Sequence, residues 1–134
     1  MSLRWYTVVV DCHDIAAQAR WWAETLDYTI IYESEDEAVI VPSWMDPEPP
    51  ADAEAFRRQG QGMVFVPVPE GKTVKNRLHI DLAPHPSQDR DAEVAALLER
   101  GAVRVDVGQD DSATWTVLAD PEGNEFCVLS ARAH

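Results

Sequence analysis

β-Branched and aromatic residues fill positions 5–10, which predicts a strand. The spacing then changes, with Ile15, Ala19, Trp22 and Leu26 recurring at i, i+4, i+7 and i+11. That stripe predicts an amphipathic helix over 15–26, with Asp14 placed to cap its start. Short apolar runs at 28–32, 38–41 and 63–68 read as strands. The same order then returns: a strand at 78–82, a helix at 89–100, and strands at 102–107, 113–118 and 125–129. In the second helix Val94, Leu97 and Leu98 form the stripe, Asp89 or Ser87 is the N-cap, and Gly101 is the stop.

Sliding the chain by 72 positions sets Trp22 on Val94, Ala23 on Ala95, Leu26 on Leu98 and Thr7 on His79. Neither half carries enough apolar surface to bury a sheet face alone, so two βαβββ modules are expected to pair. The modules differ at 42–60, a proline-rich, acidic excursion that ends in a candidate short helix. A lid or an interface is the expected role of so long a connection, with disorder as the alternative.

Length and charge narrow the function. A chain of 134 residues suits one domain, 1–134, with module one at about 5–68 and module two at about 77–130. Its net charge of −13 argues against nucleic acid and anionic membranes as partners. No apolar run approaches the ~20 residues of a membrane span. The opening Met1-Ser2-Leu3-Arg4 leads into no signal-like segment, so the expected location is cytoplasmic. Two cysteines are too few for a disulfide scaffold, and both are expected as free thiols. The five tryptophans are expected mostly in the core or at an interface.

Two stretches carry candidate chemistry. In Asp120-Pro121-Glu122-Gly123-Asn124-Glu125-Phe126-Cys127-Val128-Leu129, a tight turn feeds a strand with Glu125, Cys127 and Leu129 on one face. In Lys72-Thr73-Val74-Lys75-Asn76-Arg77-Leu78-His79-Ile80-Asp81, a basic cluster precedes a strand with His79 and Asp81 on one face. Lys72, Lys75 and Arg77 are three of eleven basic residues, within six positions of an acidic chain. They suit an anionic ligand, with Asn76 as a neutral donor, or else a charged strand edge. His79 with Asp81 reads as an acid/base relay and His79 with Cys127 as a thiolate pair, unless Cys127 merely fills space. Phosphate-loop, dinucleotide and nucleophile-elbow motifs are missing from the sequence.

The basic run with His79, together with the Asp-Pro-Glu-Gly-Asn turn, resembles the vicinal-oxygen-chelate superfamily in its glyoxalase-like branch, over about residues 5–130. The resemblance implies an α+β fold in which two paired βαβββ modules form a half-open barrel around a small-molecule cup. Many members chelate a divalent metal there, and others bind without one. Carried over, the family's ligand positions fall on Thr7, His79, the strand Met63-Val64-Phe65-Val66, and Cys127 in place of a carboxylate. Only His79 keeps its usual form, so no cofactor is expected, and any metal would rest on His79. The tentative catalytic set is therefore His79, Asp81, Cys127 and Glu125. The ligand-binding set is Thr7, Lys72, Lys75, Asn76 and Arg77. The implied function is metal-independent binding of a small anionic molecule. A lyase, isomerase or dioxygenase using His79 and a metal is the alternative, and an interaction module with a vestigial pocket is a third. A homodimer is the expected assembly.

Overall fold

The computed structural model describes residues 3–109 and 112–134. Two compact units divide between Gly71 and Lys72. The first holds β1 (Thr7–Cys12), α1 (Ile15–Leu26), β2 (Tyr28–Glu33), β3 (Ala38–Pro42), α2 (Ala53–Arg58) and β4 (Gly62–Pro67). The second holds β5 (Ile80–Leu82), α3 (Arg90–Glu99), β6 (Val103–Arg104), β7 (Thr116–Ala119) and β8 (Glu125–Val128). The strand orders are β1-β4-β3-β2 and β5-β8-β7-β6, so the repeat legible in the sequence recurs as topology. In each sheet the first strand runs parallel to the last, and the other pairs are antiparallel. The fold is α+β with two open four-stranded sheets. No helix among the described residues is long and apolar enough to cross a membrane.

In the first unit the Asp14 side chain accepts the Ala17 N–H at 3.0 Å and caps α1. The helix ends on Asp27, whose left-handed backbone (φ 55°) returns its N–H to the Ala23 carbonyl. Ala19 and Trp22 are buried on α1, Ala38 and Ile40 on β3, Met63 and Phe65 on β4, and the helix packs on β2, β3 and β4. The period of two on β3 is what turns Ala38 and Ile40 inward together. Residues 43–60 are tied down, with Trp44 edge-on to Tyr28 and Arg4 stacked over Phe56 while it donates to Gln59 and Gly60.

In the second unit Asp89 is the cap, accepting the N–H groups of Asp91 and Ala92. Gly101 follows α3 with φ +107°, a conformation that costs glycine little. Val94 and Leu97 are buried with Leu118, Phe126 and Val128. Arg90 fastens the start of α3 to the sheet, donating to the carbonyls of Val128 at 3.0 Å and Leu129 at 3.1 Å.

Several expectations are corrected. The first strand begins at Thr7, not at residue 5, because pairing starts where Thr7 meets Gly62; Trp5 and Tyr6 stay exposed. The strand expected at 78–82 shrinks to Ile80–Leu82, with Leu78 left in solvent. The one expected at 102–107 keeps only Val103–Arg104 in the ladder, after which the Asp106 carboxylate takes the Gly108 N–H and starts a turn. The strand expected at 113–118 is Thr116–Ala119. Of the tryptophans, Trp21 and Trp22 are buried, whereas Trp5, Trp44 and Trp115 are exposed. The opening Met1 and Ser2 lie outside the described residues.

Candidate functional site

The turn before β8 sets the site's frame. Asp120, 1% exposed, accepts the N–H groups of Glu122 at 2.9 Å and Asn124 at 3.1 Å on one carboxylate oxygen. Gly123, at φ +91°, donates to the Asp120 carbonyl at 2.9 Å. The chain reverses there and leaves as β8, whose period of two gives Glu125, Cys127 and Leu129 a common face.

β5 lies parallel to β8 with Asp81 opposite Cys127. His79, two residues earlier, brings Nε2 to 3.1 Å from Asp81 Oδ1, with both side chains nearly half exposed. The ligand atoms of His79, Asp81 and Cys127 lie within 4.8 Å of one another. They share a cavity of about 300 Å³ with Lys75 and Glu125, walled by Val107, Trp115, Val117 and Leu129.

Electrostatics assign states to these groups. Burial pushes the Cys127 thiol up, as do the charge of Asp81 and a hydrogen bond with it, while Lys75 pulls weakly the other way. Cys127 is thus a protonated thiol at neutral pH. Burial also acts to raise Glu125, but Lys72 and the Asn76 N–H outweigh it and hold the carboxyl below its ordinary value. Glu125 Oε1 meets Lys72 Nζ at 2.8 Å, and Oε2 accepts from Asn76 N at 3.0 Å.

The expected site residues therefore separate. His79, Asp81, Cys127, Glu125 and Lys75 meet at the cavity. Lys72 and Asn76 reach it through Glu125, and Arg77 is exposed and absent from the cavity wall. Thr7 belongs to the first unit, where its hydroxyl donates to the Val8 carbonyl. Val107, Trp115 and Val117 were missed as site residues. They lie on segments whose register no local pattern fixes.

Of the positions implied by resemblance for a metal, Thr7 and the β4 residues remain poor donors. The donor set in the second unit differs from that expectation, because Asp81 joins His79 and Cys127. Imidazole, carboxylate and thiol together fit a borderline divalent ion such as zinc, held by these three side chains. Cys127 would have to give up its proton on binding. Such an ion supplies Lewis acidity when bound.

A comparison with curated protein sequences finds no match. Among solved structures, a glyoxalase/bleomycin resistance protein/dioxygenase family enzyme from Burkholderia phytofirmans PsJN is similar, with a TM-score of 0.68 at 14% identity over 97% of this chain and 100% of that one. The fosfomycin resistance protein FosX from Listeria monocytogenes has a TM-score of 0.67 at 11% identity, covering 98% of this chain and 94% of its own. A FosX mutant complexed with Mn(II) and 1S,2S-dihydroxypropylphosphonic acid gives the same TM-score of 0.67 and 11% identity, over 98% and 95% of the two chains. At these identities the likeness concerns the fold. A family model described as a glyoxalase-like domain matches residues 7–129, nearly the whole chain, and the chain belongs to that family.

Proposed function

We propose that this chain is a small-molecule-binding protein that takes an anionic organic ligand into the cavity of its second unit without requiring a resident metal. One observation carries the reading: Lys75 and His79 face a wall of Val107, Trp115, Val117 and Leu129, an arrangement that suits a small anion with an apolar body. Lys75 has only the Asn76 carbonyl, at 3.4 Å, as a hydrogen-bond partner among the described residues, which leaves donors for a ligand. With Lys72 against Glu125, and Lys75 lining the same cavity as Asp81, the formal charges around the cavity balance, so it does not share the strong negative charge of the chain as a whole. The FosX mutant of similar fold holds a phosphonate, an organic anion, together with Mn(II), so it supports the anionic class of the ligand and not its independence of metal.

A second reading is favoured by the His79, Asp81 and Cys127 cluster: a metal-assisted lyase, isomerase or dioxygenase. Elemental analysis and native mass spectrometry after dialysis separate the two. No stoichiometric divalent metal is expected, because burial and Asp81 hold Cys127 protonated and a metal would have to displace that proton. One zinc, nickel or iron per chain, lost in His79→Ala, would replace the first reading with the second. With an anionic ligand in hand from metabolite screening, calorimetry on Lys75→Ala should show a loss of ~2–5 kcal/mol, as for a desolvated charge contact. Arg77→Ala should cost under ~1 kcal/mol, as for an exposed charge. Equal losses in both variants would reject the assignment of Lys75.

A further inference from the structure

Lys75 and His79 line the cavity, yet residues 72–79 have no regular secondary structure before β5 begins. Such a segment must be held by side chains if it is to present Lys75 and His79 reproducibly. Among the described residues, the hydrogen bonds that tie 72–77 to the rest of the chain converge on one carboxylate. Glu125 takes the Lys72 ammonium at 2.8 Å and the Asn76 main-chain N–H at 3.0 Å, using a different oxygen for each. The two anchors bracket Lys75, and His79 follows three residues after the second. Lys72 and Glu125 are only 18% and 11% exposed, so solvent screens this pair far less than an ordinary surface pair.

The geometry points to Glu125 as the positioning residue of this site: a carboxylate clasp that holds the 72–79 segment so that Lys75 and His79 stand at the cavity. Glu125 lies two residues before Cys127 on the same face of β8, so one short strand carries both the clasp and the thiol. The clasp also accounts for the division of labour in the basic run. Lys72 is consumed in holding the segment, and Lys75 is left to the ligand. The purpose given to the clasp rests on the cavity being a binding site, but its existence is tested without a ligand.

The experiment compares Glu125→Ala, Glu125→Gln and Lys72→Met with the wild type by amide hydrogen exchange and by the NMR signals of the histidine rings. Glu125→Ala removes both anchors. Exchange of the Asn76 amide, whose N–H Glu125 accepts, should rise about 10- to 100-fold, the scale set by a hydrogen bond to a charged group, while α3 and β7 exchange as before. Glu125→Gln keeps an acceptor for Asn76, and Lys72→Met keeps the Asn76 bond, so both should give smaller rises. The His79 ring signals should move in Glu125→Ala while those of His85 hold still, an outcome that general destabilisation would not produce. Should Glu125→Ala not fold, the other two variants carry the test. Folded Glu125→Ala with Asn76 amide exchange within about twofold of wild type, and an unmoved His79 ring, would overturn the clasp. Anilinonaphthalene sulfonate, an apolar anion, separates the two readings. If it does not bind wild type while Glu125→Ala still loosens the segment, the clasp stands and the anion-binding reading falls.

Discussion

Replacing Asp120 by alanine tests whether the turn before β8 is held by its buried carboxylate. The side chain is 1% exposed and accepts two main-chain N–H groups, from Glu122 at 2.9 Å and Asn124 at 3.1 Å. A hydrogen bond to a charged acceptor contributes ~1.5–3 kcal/mol net. Glu122 and Asn124 are only half-buried, so water can partly replace the lost acceptor, which places the total near the lower end. The expected cost is ~2–4 kcal/mol. Asp120→Asn retains an acceptor oxygen of the same reach and should cost ~1 kcal/mol. Urea unfolding of the three proteins is the assay, with the slope m compared so that a change in midpoint can be read as a change in stability. For a chain of 134 residues, at about 3 °C per kcal/mol, Asp120→Ala should also lower Tm by about 6–12 °C. An alanine variant within ~1 kcal/mol of wild type, at unchanged m, would show that the main-chain bonds of Gly123 and Asn124 hold the turn unaided.

Glu125 gives a pH dependence with a definite sign. Its folded value lies below the ordinary 4.5, so its contribution to stability is present above about that pH and is lost as pH falls through the folded value. Glu125→Gln should therefore flatten the acid limb of the stability curve below pH 4.5 and leave its shape near neutrality unchanged; an unaltered limb would contradict the paired state. Cys127 should alkylate slowly at neutral pH, and Asp81→Asn should accelerate it by removing the charge that helps keep the thiol protonated. Iodoacetamide kinetics with peptide mapping, which separates Cys127 from Cys12, the other buried thiol, checks this, and no acceleration would refute the coupling. Gly123→Ala should cost ~1–2 kcal/mol although no atom lies within 4 Å of the added methyl group, because the penalty comes from φ +91° alone. A Gly123→Ala melting curve that overlays wild type would show that the backbone relaxes.

Much of the fold was legible because its determinants are local. Asp14 and Asp89 cap their helices as their spacing to the apolar stripes implies, and the repeat of elements was readable as order alone. Where expectation and structure part, the cause is pairing. Leu78 has an apolar side chain but remains 88% exposed, since β8 offers partners only to Ile80–Leu82. Val105 donates one bond to the Val117 carbonyl before Asp106 diverts the chain, so a run of apolar residues was not enough to extend β6. Aromatic content likewise says little about burial, as the exposed Trp44 and Trp115 demonstrate.

The site was half legible for the same reason. A period of two places His79 with Asp81, and Glu125 with Cys127, without knowledge of any partner strand. The parallel ladder that sets Asp81 against Cys127 joins residues from the two ends of the second module, and no spacing in the sequence encodes it. Lys72, Lys75 and Arg77 are chemically interchangeable as a basic run, yet they have three different fates. Lys72 pairs with a carboxylate 53 residues away, Lys75 lines the cavity and Arg77 stays in solvent. Those fates depend on where a loop is pinned, and the pin is Glu125. The two stretches that stand out in the sequence are thus halves of one device, and neither would place its charges at the cavity without the other.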